Sequence, residues 1–199
     1  MNDEAVTKLR ADMKAEIRTR RRAVRRAMPQ DARLARSAAI CERLIALPEW
    51  AQARTVLAFV SMRDEVQTKE AVAAARAAGK RVGSTRMLPD RSDLEVREWR
   101  LEDELEESGQ MFQQPPLDAP VIAGDEVDLV IVPALAADDR GYRIGYGKGY
   151  YDRLLPRLPR AFRAAVIFDF ELIAEVPEHP YDTPVDIVIT DQRAERARR

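Results

Sequence analysis

Short apolar runs alternate with stretches of helical periodicity along this chain. Residues 31–47 (DARLARSAAICERLIAL) place apolar side chains at three- and four-residue spacing behind Asp31, a residue type that caps helix N-termini. Residues 54–61 (RTVLAFVS) predict a short strand. Thr68 is expected to cap a second helical stretch, KEAVAAARAA, which stops at Gly79 as helices commonly do. Short β runs follow near residues 81–84 and 94–99. VDLVIVPAL (127–135) predicts the strongest strand, apolar on both faces and therefore central. YYDRLLPRL (150–158) predicts a short helix broken near Pro156, and AAVIF (164–168) and VDIVIT (185–190) predict two more strands. The segment QQPPLDAPVIAG (113–124) reads as a long surface connection and the RAERARR tail (193–199) as frayed.

Strands alternating with helices predict an α/β fold: three layers, α/β/α, with a mostly parallel sheet and helices on both faces. An N-terminal basic helix precedes it, MKAEIRTRRRAVRRAM (13–28), ending at Pro29. No internal repeat interrupts the pattern, and residues 1–199 are expected to form one domain.

Composition narrows the functional classes. The 33 Lys and Arg against 34 Asp and Glu leave a net charge of -1, so no global field draws the chain to nucleic acid or an anionic membrane. A single cysteine, Cys41, and a single histidine, His179, exclude an internal disulfide and any thiolate or paired-imidazole metal site. Cys41 lies in an apolar helical pattern and reads as a small core residue. No apolar run reaches the roughly 18 residues of a membrane span, and the N-terminus lacks a signal-peptide core. The expectation is a soluble, cytoplasmic protein. Charge is nonetheless uneven: residues 13–28 are basic and LEDELEES (101–108) is acidic. The basic helix reads as a solvated charged face; a nucleic-acid arm is the alternative, though no aromatic interleaves with its arginines.

The candidate chemistry sits in RGYRIGYGKGYYD (140–152), which holds four of the chain's eight glycines. A P-loop, GxxxxGK[ST], does not fit, because Lys148 is followed by Gly149. A dinucleotide fingerprint does not fit either, because Gly145, Gly147 and Gly149 are spaced GxGxG. Closely spaced glycines still allow backbone N–H groups to cradle an anion. Lys148 adds positive charge there, the following helix is expected to point its N-terminus at the same place, and Asp152 is placed to hold Mg²⁺ beside phosphates.

GYRIGYGKGYYDRLL resembles the signature of the 5-formyltetrahydrofolate cyclo-ligase family. KAEIR (14–18), VSMRDEVQT (60–68) and VPEHPYDTPVDIVIT (176–190) are similar to that family's other motifs, in the same order. The resemblance implies an ATP- and Mg²⁺-dependent ligase converting 5-formyltetrahydrofolate, polyglutamylated or not, to 5,10-methenyltetrahydrofolate. It implies ATP contacts from Lys14, Arg18, Arg143, Gly145, Tyr146, Gly147, Lys148, Gly149, Tyr150 and Tyr151, with Lys148 and Arg143 catalytic. Val60, Met62 and Glu65, bordered by Tyr150 and Tyr151, would form the folate pocket. Asp152 and Asp186 would be the magnesium carboxylates, and the protein is expected to be a monomer.

The chain departs from the family pattern at Ala134 and Ala137, at Thr85, at Gln114 and at Tyr181. These positions bear on the folate half more than on the phosphate half. Two other readings therefore stand beside the cyclo-ligase: a divergent ATP-using paralogue with another acceptor, and a nucleotide- or RNA-binding module without turnover.

Overall fold

The computed structural model of the chain describes residues 3–88, 90, 93–100, 103–109 and 112–198. Two basic and apolar helices come first, α1 (Asp3–Ala27) and α2 (Gln30–Ile45), followed by the single turn α3 (Pro48–Gln52). Then come β1 (Thr55–Leu57), α4 (Lys69–Ala77), β2 (Arg81–Met87) and β3 (Leu94–Glu98). The two-residue strands β4 (Glu106–Glu107) and β5 (Gln113–Gln114) pair with each other before β6 (Leu129–Pro133). A small hairpin, β7 (Ala136–Ala137) and β8 (Arg143–Ile144), leads to α5 (Tyr150–Leu154), β9 (Phe162–Val166), β10 (Ile187–Ile189) and β11 (Ala194–Arg196).

Seven strands form one sheet in the order β11-β10-β9-β6-β1-β2-β3, with β6 in the centre as its all-apolar sequence predicts. The five inner strands are parallel, and β3 and β11 close the two edges antiparallel. The period of two along each strand divides the core. Leu129, Ile131, Ala164, Val166, Ile187 and Ile189 face one side, where Ile40, Leu44, Val72 and Ala75 of α2 and α4 cover them. Val130, Val132, Ala165 and Val188 face the other, covered by Leu154, Leu155, Leu158 and Ile122. That second cover is thinner than three full layers, because only α5 and a 3₁₀ turn (Leu155–Arg157) supply helix there.

Counted among themselves, the parallel strands run 2-1-3-4-5, so the chain changes its direction of travel between β1 and β6. Such a switch point leaves a crevice beyond the carboxyl ends of the strands. Helix α1 lies over that end of the sheet. Its Arg25, 1% exposed, donates through Nε (2.6 Å) and Nη2 (2.7 Å) to the Glu171 carboxylate, which is 0% exposed. Arg25 also donates to the Ala134 carbonyl just beyond β6 and stacks over Phe168.

Four details differ from the sequence reading. Pro29 rather than Asp31 occupies the N-cap position of α2, and Asp31 sits in its first turn. The Thr68 hydroxyl donates to the Phe59 carbonyl (2.9 Å) instead of capping α4, tying the loop after β1 to that helix. Residues 113–124 are not simply a surface connection: Gln114, Ala119 and Ile122 are buried, and Gln114 Oε1 accepts from Met87 N (3.0 Å). The tail is not frayed, since residues 194–196 pair with β10. Of the acidic stretch, Leu101 and Glu102 lie outside the described residues.

Candidate active site

A cavity of ≈ 1070 Å³ opens where the strand order switches, reached by Phe59 and Val60 after β1 and by Pro133 at the end of β6. One face of α1 forms its roof. Ala11, Lys14, Arg18, Arg22 and Arg26 recur every three or four residues and all line the cavity. The arginine-rich helix is therefore not merely a solvated face, and its inward stripe is committed to this cleft. The floor is the glycine loop between β8 and α5, from Gly145 to Gly149.

Loop and roof are fitted to each other. Arg18 Nε donates to the Gly145 carbonyl at 2.9 Å. Gly147 has φ +97°, and a Cβ there would stand 3.3 Å from Arg18 Cζ, so a side chain would be strained and would press on the arginine. Gly141 has another duty: a Cβ at that position would fall 2.4 Å from the Val185 carbonyl, so its lack of a side chain seats the hairpin against the strand entering β10. Lys148 is exposed on the loop and lines the cavity. The helix after the loop is weaker than the sequence suggests, since α5 has five residues and Gly149 enters it in the left-handed conformation. Positive charge at the loop thus comes from side chains rather than from a helix dipole.

Two internal carboxylates face these cations. Lys14 donates to Asp182, which also accepts from His179 N at 2.8 Å. Arg143 donates to Asp152 Oδ1 at 2.9 Å and to the Thr183 carbonyl. Burial pulls the Arg143 pKa below its ordinary value, and Asp152 and Asp182 oppose that shift. The structure brings Asp152 into the cavity but not Asp186. Asp186 stands before the amino end of β10, where its carboxylate accepts from Arg163 N at 2.8 Å. In a parallel strand that end is opposite the crevice, so the expected partnership of Asp152 with Asp186 is corrected; the other carboxylates lining the cavity are Asp182, Asp64 and Glu65. Among the described residues, no group of three or more His, Cys, Asp or Glu could hold a metal.

The remaining wall is apolar and aromatic around one buried acid. Glu65, 4% exposed, accepts from Met62 N at 2.8 Å, and burial raises its pKa. Val60, Met62, Tyr150 and Tyr151 line the same cavity. The Tyr146 hydroxyl is buried beside Glu65 and the Tyr151 hydroxyl beside Thr85, and burial raises both pKa values. Sequence reasoning did not find Arg22, Arg26, Asp182 or His179 in this site; the spacing of the α1 cations was the available signal for the first two. Of the departures from the family pattern, Thr85 lines the cavity, Ala134 and Ala137 are buried, and Tyr181 is 86% exposed.

A doubly wound α/β protein with a glycine-rich, cation-lined loop and a buried acid at its switch point is the class that fold and site define. Residues 10–191 match the 5-formyltetrahydrofolate cyclo-ligase family, and the chain belongs to it. It is 29% identical over 181 residues to the 5-formyltetrahydrofolate cyclo-ligase of Escherichia coli K12, covering 89% of this chain and 97% of that one. Identity to the enzyme of the same name from Mycolicibacterium smegmatis is 39% over 82 residues, 41% of this chain and 42% of that protein. The solved structure of Aquifex aeolicus 5,10-methenyltetrahydrofolate synthetase shares the fold, with a TM-score of 0.82 at 24% identity over 94% of each chain.

Proposed function

We propose that residues 1–199 act as one domain, a monomer in the cytoplasm, that uses ATP and Mg²⁺ to convert 5-formyltetrahydrofolate, polyglutamylated or not, to 5,10-methenyltetrahydrofolate. The observation that carries this reading is one cavity lined both by a glycine loop with Lys14, Arg18 and Lys148 and by a buried carboxyl, Glu65, among aromatic walls. ATP phosphates lie on the glycine loop, with Lys14, Arg18 and Lys148 around them. The formyl oxygen attacks the γ-phosphorus and the bond to the β-phosphate oxygen breaks, releasing ADP. N10 of the same folate then attacks the formyl carbon, the carbon–oxygen bond breaks with departure of phosphate, and N10 loses its proton.

Both reacting nitrogens belong to one substrate, so the protein's work is positioning and charge stabilisation. Lys148 and Arg143 stabilise charge on the transferring group. Glu65 pairs with the amino and N–H edge of the pterin ring. Mg²⁺, when bound, would supply a hard cation to offset phosphate charge, and Asp152, 31% exposed with one oxygen taken by Arg143, would be the carboxylate to hold it. No side-chain nucleophile is required, which suits a chain whose only thiol, Cys41, is buried with its pKa raised to about 11 by burial. The inward basic stripe of α1 weighs against the RNA-binding module.

The test is direct. Protein, Mg-ATP and 5-formyltetrahydrofolate are mixed, and methenyl-folate absorbance is followed with matched samples lacking ATP. ATP-dependent product supports the reading. ATP consumed with another acceptor and not with this one would favour the divergent paralogue, and no turnover with any folate would end the proposal.

A further inference from the structure

The turn of the β7–β8 hairpin is built around one buried acid. Asp138, 0% exposed, accepts through Oδ1 from the amides of Arg140 (3.1 Å) and Tyr142 (3.0 Å). Its Oδ2 accepts from Arg140 Nη2 (2.7 Å) and from the Val176 amide (2.9 Å), far along the chain. Arg140 Nη2 also donates to the Val176 carbonyl and to Glu178 Oε2, both at 2.9 Å. The pair thus grips both backbone polar groups of Val176. Further on, the Val185 amide donates to the Gly141 carbonyl of the same turn (2.9 Å). Residues 177–184, which contain neither helix nor strand, are therefore a strap with both feet on one hairpin turn.

The strap's contacts lie in the phosphate half of the cavity. Asp182 pairs with Lys14 of the roof, and the Thr183 carbonyl accepts from Arg143. The Thr183 hydroxyl donates to the Asp152 carbonyl at 3.3 Å. A segment without secondary structure of its own takes its path from its feet, and small displacements of binding groups are costly. We propose that Arg140 is a positioning residue for nucleotide binding: by fixing Val176 and Glu178 it sets the strap that presents Asp182 to Lys14 and Thr183 to Arg143 and Asp152. Arg140 is not among the residues lining the cavity, so it acts only through the strap. The proposal rests on the reading of this half as the ATP site.

Two substitutions at one position test this. Arg140→Met keeps the stem and removes the fork, whereas Arg140→Lys keeps the charge but cannot fork to Asp138, Val176 and Glu178 together. Thermal denaturation first fixes a temperature at which each variant is folded, and titration calorimetry with each ligand follows there. For Arg140→Met the ATP dissociation constant should rise about tenfold, as loss of a charge-assisted hydrogen bond allows, with that of 5-formyltetrahydrofolate within about twofold of wild type. Arg140→Lys should fall between the two proteins. A merely structural role would lower the melting temperature and leave both affinities of the folded variant unchanged, which would overturn the proposal. So would equal losses for the two ligands, or full ATP affinity in Arg140→Lys. Should Arg140→Met not fold, Glu178→Ala decides: it removes one arm, 27% exposed, and should raise the ATP constant about threefold, an unchanged constant sinking the idea. Wild-type protein that binds no ATP would end the phosphate reading itself, a failure distinct from bound ATP with unaltered variants.

Discussion

Arg25 and Glu171 are joined by two hydrogen bonds, of 2.6 and 2.7 Å, in a place water does not reach. One residue ends α1 and the other follows β9, so the pair fastens the cavity's roof to the sheet. Glu171→Gln leaves the guanidinium buried without its counter-charge and should destabilise the fold by about 3–5 kcal/mol. If the pair positions α1, the folded fraction should also bind ATP more weakly, because Lys14 and Arg18 ride on the same helix. Denaturant unfolding and ATP titration of the variant check both; wild-type stability would show that the pair fastens nothing.

Lys148 and Gly147 are neighbours with separable roles. Lys148→Ala should lower kcat by roughly a hundredfold, with a smaller change in ATP affinity, as removal of a single transition-state donor does. Gly147→Val meets Arg18 and a φ of +97°, so it should weaken ATP binding itself. Steady-state kinetics and calorimetry on both variants distinguish the two; equal effects on binding would remove the distinction.

For the metal, Asp152→Asn should lower turnover at least about tenfold and shift its Mg²⁺ dependence to higher concentration. Asp186→Asn should leave that dependence unchanged and cost about 1 kcal/mol of stability from its bond to the Arg163 amide. A Mg²⁺ titration of both variants decides the matter, and a shifted titration for Asp186→Asn would restore it to the site.

Glu65 has a raised pKa because it is buried, so the folded state holds its proton more tightly than the unfolded chain does. Its contribution to stability is therefore complete below the ordinary glutamate value of 4.5 and is lost as pH rises through the raised native value. Glu65→Gln should remove that loss, making the variant more stable than wild type at neutral pH while folate affinity falls and ATP affinity holds. Melting curves across pH, with ligand titrations at neutral pH, test the pairing. A variant less stable at every pH would mean that the carboxylate is held by partners rather than strained by burial.

The central strand, the glycine loop and the acid after β1 were legible because each has a local signature: an all-apolar run, a cluster of glycines, a motif. The inward face of α1 was written in the spacing of Lys14, Arg18 and Arg22, but charge alone does not say which side meets solvent. Asp186 misled because a motif carries no direction along a strand; its place before β10 sets it away from the carboxyl end. Asp182 and His179 lie in a loop whose path is fixed by distant contacts, among them the Tyr142 carbonyl–Asp138 amide turn and the Val185 amide bonding Gly141. β11 escaped notice because a polar three-residue edge strand takes its order from its neighbour, not from itself.

That last strand has a consequence for self-association. With β11 in place, Ile187–Ile189 has partners on both sides, and the outermost strand carries Arg196, paired to Glu49, just after Arg193, paired to Asp169. Stripping it away would leave an apolar, parallel β10 with a row of unmet amides and carbonyls, a template onto which a second molecule could add strand by strand. The charged tail thus works as a guard against polymerisation, at the margin of the sheet farthest from β3.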